Sequence, residues 1–539
     1  MLDVVIVGGG ACGLALARDL AKAGVSFALY EARPRLGGRV LSVEDHSSGL
    51  RVDLGPTWFW PDTQPTITAL VAELGLADFA QYDPGTALLL AEGDKKPETR
   101  MTPNLHSGAR RLAGGMASLI EALAKDVPAE SIHLNAVLRD AAERGDHVEM
   151  RFDIGGEPGI VEARRLVLAL PPRLIEERIA FDPPLDALTR NAMRNAPTWM
   201  AAQAKAVVGY EGKPAWRADG HSGNAFATHE QAVLGEIFDA CDASGEQAAI
   251  GGFFALSIEW REAFEGGMPM LLASQLVQLY GKPLEGLGEQ HVQDWAREPF
   301  TCSSLDKTPP ADHPDYGDPL LRQSFWEGKL FLGGAETARE GGGYVEGALK
   351  AARRIGLRIL DKKEAPIMIA GASEAASPEA LNEASLARFR EWVQSKRGPA
   401  FASYRQRLNF GLSNGQREQI TQRAMLGAME AVLKEAIAVL EGLPFDHSAV
   451  AVEKGRSDLT PLVQASFDGF IQELLDGVID YNRTSCALSN FPEEHKPSKD
   501  YLSATLRDIA AAWREFSLDA NQILLDKSVA SDQQATRSL

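Results

Sequence analysis
The sequence is poor in cysteine. Cys12, Cys241, Cys302 and Cys486 are scattered over 539 positions with no CxxC pair. That spacing excludes a disulfide framework and a cysteine-based zinc site. Basic residues are also short, with 55 Lys and Arg against 74 Asp and Glu, for a formal charge of −19. Nucleic acid and anionic membrane both demand clustered positive charge, so neither is expected as a partner. No stretch approaches the roughly 18 uninterrupted apolar residues that a membrane span requires. The start runs from Val4–Val7 straight into Gly8-Gly9-Gly10, with no basic leader and no cleavage site. A cytoplasmic location follows as the expectation. The ten histidines show no HExxH or HxxEH spacing, and no GxSxG elbow or P-loop occurs. No metal site is expected.

What is abundant is glycine, at 50 residues. The first cluster is Gly8-x-Gly10-x-x-Gly13. It sits between a strand-like run (4–7) and a helix-like run (12–23) that carries Leu14, Leu16, Ala17 and Leu20. A second strand (25–30) ends at Glu31. This is the dinucleotide fingerprint in its required context. Glycines let backbone approach a pyrophosphate, the helix N-terminus favours its charge, and the acidic residue accepts from ribose hydroxyls. An acidic residue at this place suits FAD or NAD equally.

Further on, strands are expected near 132–138, 147–153, 165–170, 202–210, 247–256 and 329–333, and helices over 116–125, 267–280 and 345–361. Around 362–378 the composition turns to small residues, Gly and Pro, as in a linker. Beyond it the strand signals vanish. Helical runs are expected over 378–397 and 415–441, after the cap pair Thr460-Pro461, and after Ser498. The last twelve residues read as a disordered tail.

The stretch Glu31-Ala32-Arg-Pro-Arg-Leu-Gly37-Gly38-Arg39 decides between the dinucleotides. With the preceding fingerprint, it resembles the start of the flavin-containing amine oxidase family. The resemblance continues through Asp53-Leu-Gly55-Pro56-Thr57-Trp58, where Pro56 replaces a glycine. It includes Gly114-Gly115-Met116, His133-Leu-Asn135-Ala-Val137, Leu332-Gly333-Gly334-Ala335-Glu336-Thr337-Ala338 and Gly343-Tyr344-Val345-Glu346-Gly347-Ala348. It covers about 360 residues of the chain. It implies an α/β fold in which a Rossmann-like FAD-binding domain (1–75, 108–172 and 292–362) is interleaved with an α+β substrate domain (76–107 and 173–291). An all-α C-terminal bundle (378–527) follows.

The resemblance also implies roles. FAD would be held by Gly8, Gly10, Gly13, Glu31, Ala32, Gly38, Arg39, Gly55, Pro56, Thr57, Val137, Gly334, Glu336, Gly343, Tyr344 and Val345. Arg39 would serve the phosphates and the Val345 amide the flavin C2 carbonyl. Lys205 matches the family lysine that holds a water at flavin N5; the competing reading is a lysine on the solvated face of an edge strand. Tyr344 matches one wall of an aromatic cage for the substrate amine, against a packing tyrosine at a helix start. Trp58 is a second candidate wall or a core tryptophan. Ser304 stands where some members carry a flavin-linking cysteine, and Leu305 where a second cage tyrosine would stand, so FAD is expected to be non-covalent and the cage half-open.

The implied activity is oxidation of a small-molecule amine by hydride transfer, with oxygen reduced to hydrogen peroxide. A non-amine flavin oxidase or desaturase on the same fold is the alternative, as is a non-catalytic FAD-binding protein. The bundle is expected to cover the substrate entrance, form a homodimer contact or stand as a separate accessory domain.

Overall fold
The computed structural model describes all residues except 101–104, 287, 311–312, 315, 361–377, 414–418, 444, 447–449, 454, 485–487, 489–498 and 538–539. The chain divides into two compact units, Met1–Ala365 and Pro366–Leu539.

The first unit is built on two sheets. In the first, five parallel strands lie in the order Leu330–Leu332, the end of Glu157–Leu168, Leu2–Val7, Phe27–Tyr30 and Ile132–His133. The run VVIV explains why Leu2–Val7 is central. Val4 and Ile6 enter one core, and Val5 and Val7 enter another on the opposite face. A parallel strand covered on both sides needs such an unbroken apolar run. Ala11–Lys22 and Val345–Ile359 share the first of these cores through Leu14, Leu16, Ala351 and Ile355. An antiparallel extension, Ala136–Glu143 with Val148–Ile154, continues the sheet from the first half of Glu157–Leu168.

The second sheet has seven strands in the order Glu289–Asp294, Ala204–Tyr210, Ala248–Phe254, Leu234–Asp239, His221–Ala227, Thr86–Leu90 and Glu98–Arg100. All its pairings are antiparallel except that of Thr86–Leu90 with His221–Ala227. Met268–Tyr280 packs on it through Leu272, Leu276 and Leu279.

The second unit is helical: Pro378–Ser395, Arg397–Ser413, Ile420–Gly442, Leu459–Ala465, Phe470–Thr484 and Lys499–Arg537. One core unites them, with Phe389, Tyr404, Met429, Phe467 and Phe516. Four sequence expectations change here. Arg397–Ser413 is a helix that the Gly398-Pro399 pair had hidden; a proline in a first turn loses no intrahelical bond. The helix near Thr460 starts at Leu459 behind Asp458, and it breaks before Gly469, whose φ is +77°. A short hairpin, Val452–Glu453 with Arg456–Ser457, adds strand where none was expected. The last helix continues to Arg537, through most of the stretch read as a tail. Ser498, the expected cap, lies outside the described residues, as does Cys486.

Candidate active site
The glycine fingerprint folds as its spacing requires. Gly8 has φ +109°, and a Cβ on Gly13 would stand 1.9 Å from the Gly8 carbonyl oxygen. Gly10 ends the turn and precedes the helix Ala11–Lys22, which no side chain caps. Gly38 faces Gly10 backbone to backbone, 3.5 Å from where its Cβ would lie to the Gly10 Cα. Two opposed glycines beside an uncapped helix N-terminus fit the pyrophosphate of a dinucleotide. The Glu31 carboxylate is buried and accepts from the amides of Gly9 (2.7 Å) and Arg33 (2.9 Å). Ala32 follows it. Backbone bonds tie this segment to its neighbours: Glu31 N–H donates to His133 O, and Ala136 N–H to Glu31 O, one residue before Val137.

The late glycine motif joins the same region. Gly334 N–H donates to Cys12 Sγ at 3.3 Å. Arg39 pairs with the fully buried Glu336 at 2.6 Å and donates to Trp199 O at 3.2 Å. Gly343, at φ +79°, lies against Trp199. Tyr344 precedes the helix that Val345 begins. Its ring stacks on His313 with centroids 5.1 Å apart, and Trp199 stands 6.3 Å away. Leu305 is exposed, and the Ser304 hydroxyl donates to Glu177.

Lys205 lies on Ala204–Tyr210, the second strand of its sheet, and is 2% exposed. It is therefore no solvated edge lysine. Its Nζ donates to Gly55 O at 3.0 Å and to Thr57 Oγ1. Pro56 sits between these two partners. The rings of Phe238, Phe253 and Trp58 surround Nζ at 5.2, 5.5 and 6.0 Å. Burial drives its pKa down to about 7; Asp53 resists this shift, and Arg111 adds to it. Asp53 Oδ1 accepts from Ser42 (2.5 Å) and Met116 N (2.8 Å). Burial raises the Asp53 pKa, with Lys205 and Arg111 opposing.

Trp58 donates from Nε1 to Gln81 at 2.8 Å and stacks on His106 at 4.9 Å. His106 was not singled out in the sequence. It is buried, with Nδ1 3.0 Å from Asp83 and Nε2 3.8 Å from Glu236. Burial alone would lower its pKa, but the two carboxylates outweigh it and lift the imidazole to about 9. Asp83, Glu236, Phe238, Phe253, Trp199 and His313 were also missed, since no local motif marks them. A period-2 reading of the strand around Glu236 would have placed it and Phe238 on one face.

A parallel βαβ sheet with a glycine fingerprint, in one unit with a second sheet bearing a buried lysine, fits a flavoenzyme. Comparison with known proteins sharpens that class. The family described as flavin containing amine oxidoreductase matches residues 89–360, and an NAD(P)-binding Rossmann-like domain matches 6–74. Amine oxidase [flavin-containing] B of Mus musculus is 25% identical over 461 residues, covering 66% of this chain and 86% of the relative. Putrescine oxidase of Kocuria rosea is 26% identical over 355 residues, covering 47% and 72%. A putrescine oxidase structure shares the fold at TM-score 0.55 and 22% identity, covering 67% of this chain and 99% of that one. Cyclohexylamine oxidase from Brevibacterium oxydans does so at 0.54 and 18%, with the same coverage. The chain belongs to the flavin-containing amine oxidoreductase family. It is an FAD-dependent amine oxidoreductase. No helix among the described residues is long and apolar enough to cross a membrane.

Proposed function
We propose that this enzyme oxidises a small-molecule amine to an imine, which water converts to an aldehyde or ketone, with oxygen as the final acceptor. When bound, FAD would supply the two-electron oxidant for hydride transfer from the amine, with oxygen as the final acceptor and hydrogen peroxide as its product. The observation that carries this reading is Lys205, buried and anchored on Gly55 O and Thr57 Oγ1. With its pKa brought down to about 7, Lys205 is partly uncharged at neutral pH, and its amine can accept a proton or orient a water. Tyr344 presents an aromatic wall backed by His313 and Trp199, and Trp58 a second wall fixed by Gln81 and His106. Electron-rich ring faces suit an amine nitrogen. No side chain is required as a strong base, because the lone pair of the neutral amine assists C–H cleavage.

We assign FAD contacts to Gly8, Gly10, Gly13, Glu31, Ala32, Gly38, Arg39, Gly55, Pro56, Thr57, Val137, Gly334, Glu336, Gly343, Tyr344 and Val345. The cofactor is non-covalent, since Ser304 replaces a linking thiol and the Cys302 sulfur is buried. The FAD lobe comprises 1–75, 108–172 and 292–362, the substrate lobe 76–107 and 173–291, and the bundle 378–527. The test is anaerobic mixing of the holoenzyme with an amine panel. Loss of flavin absorbance near about 450 nm is expected. A flavin that no amine bleaches returns the protein to the non-amine oxidase or binding-protein readings.

A further inference from the structure
The edge strand of the second sheet, Glu289–Asp294, meets the turn of a two-stranded hairpin, Ser42–Glu44 with Arg51–Asp53. Glu289 and His291 stand two residues apart, so they project from one face of their strand. They pair with Gly209 and Val207 on the neighbouring strand. Asp45 opens the hairpin turn, and its N–H donates to Leu50 O at 2.8 Å. Its carboxylate fills the place where Gly209 has no side chain, since a Cβ there would overlap both carboxylate oxygens. Three ligand-type atoms thereby converge. His291 Nε2 lies 3.0 Å from Asp45 Oδ2 and 3.5 Å from Glu289 Oε1, and all three atoms lie within 4.8 Å of one another.

Each carboxylate is steered by its other oxygen. Asp45 Oδ1 accepts from the Ser48 amide (2.7 Å) and hydroxyl (2.6 Å). Glu289 Oε2 accepts from the amides of His46 (2.6 Å) and Ser47 (3.1 Å). Outer contacts of this kind hold ligand oxygens in place around a metal. The charges favour a cation as well. The Asp45 side chain is fully buried, and among the described residues no lysine or arginine pairs with it or with Glu289. His291 Nε2 faces both carboxylates and can give its one proton to only one of them. A divalent ion in the same space answers both charges at once. Zinc held by nitrogen and oxygen at about 2.0–2.2 Å sets neighbouring ligands about 3.4 Å apart in a tetrahedron. The observed 3.0 and 3.5 Å lie on either side of that spacing. An imidazole among the ligands suits zinc, whereas calcium and magnesium take all-oxygen sets.

We propose that Asp45, Glu289 and His291 bind one Zn²⁺ ion, which clasps the hairpin turn to the edge of the second sheet. Water completes the shell from the side where Glu289 is partly exposed. Asp45 and His291 lie 246 positions apart, so no local spacing marks the site. It is independent of the amine-oxidation reading and asks nothing of the flavin.

The test strips the holoenzyme with a chelator, dialyses it, and titrates it with Zn²⁺ by calorimetry and by thermal unfolding, with Mg²⁺ and Ca²⁺ in parallel. The expected result is one zinc per chain at low micromolar affinity or tighter, a Tm raised by several degrees at saturation, and no response to Mg²⁺ or Ca²⁺. Glu289→Gln and His291→Gln should each weaken zinc binding by more than the roughly 10–100-fold that a lost outer contact costs, and should abolish the rise in Tm. Asp45→Asn should do the same; if its turn fails to fold, the two strand variants decide. No zinc bound at a hundredfold excess overturns the proposal and leaves a histidine held between two carboxylates. Unchanged zinc affinity in either strand variant places the ion elsewhere and overturns it too, as does a preference for Mg²⁺ or Ca²⁺ over Zn²⁺.

Discussion
The two units bury different things. In the first, Glu31, Asp53, His106, Arg111, Lys205, Glu236, Glu336 and Glu346 are all inside. In the second, the buried polar side chains among the described residues are Asn382, Ser385, Thr421, Gln422, Ser457, Thr460, Ser466, Asn482 and Thr505, and none carries a charge. Buried charge is expensive unless paired or put to use. The first unit accepts that cost around its glycine motifs and its lysine, whereas the second has an apolar core in which the buried polar side chains described are neutral. Among the described residues, the buried charged side chains are therefore confined to the first unit.

The comparison is broken most severely by removing the lysine. Lys205→Met is expected to lower kcat/KM for amines by about 10²-fold or more, the scale of a lost acid–base group. The same change should raise thermal stability. The folded lysine has a pKa of about 7 against its ordinary value of 10.5. The unfolded chain therefore holds the proton more tightly, and the native protein gains stability as pH rises from 7 to 10.5. The advantage of the methionine variant should be full at pH 7 and fade as pH approaches 10.5. A variant with native activity, or with no pH-dependent gain, contradicts the role given to this residue.

His106 tests the opposite sign. Its pKa is raised from 6.5 to about 9, so its contribution to stability is fully present below 6.5 and lost as pH climbs through 9. His106→Gln should cost about 3 kcal/mol at pH 6 and little above pH 9, measured by denaturant unfolding at both. A cost that does not vary with pH would mean that the Asp83–His106–Glu236 contacts are not ionic. The smallest effect is expected in the bundle. Tyr404 donates to Asn482 at 2.5 Å in the second core. Tyr404→Phe should lower stability by about 1 kcal/mol and leave the rate of flavin reduction unchanged. A slowed flavin would join the two units functionally.

Much of this was legible in the sequence where local backbone carries the function. Gly8, Gly10 and Gly13 mark the dinucleotide turn because their spacing is set within a single turn. Lys205 stood out because a lysine in an otherwise apolar strand needs a reason. His106 and Asp83 sit in loops with no periodicity. Glu236 gains its meaning only from the register that places it beside Phe253 and then Lys205, and strand order across a sheet is not written locally. Trp199 and His313 meet Tyr344 from distant segments for the same reason. The helix Arg397–Ser413 was masked by Gly398-Pro399, although Ala400, Tyr404 and Leu408 recur at four-residue steps.

The central claim is that the buried lysine and its aromatic neighbours form an amine-oxidising site against a bound flavin. Anaerobic rapid mixing of the holoenzyme with a panel of amines tests it most directly. Full bleaching of one flavin per chain is expected with at least one amine, at a rate that rises with pH as the substrate amine loses its proton. A flavin that stays oxidised with every amine, and is reduced only by dithionite, would contradict it.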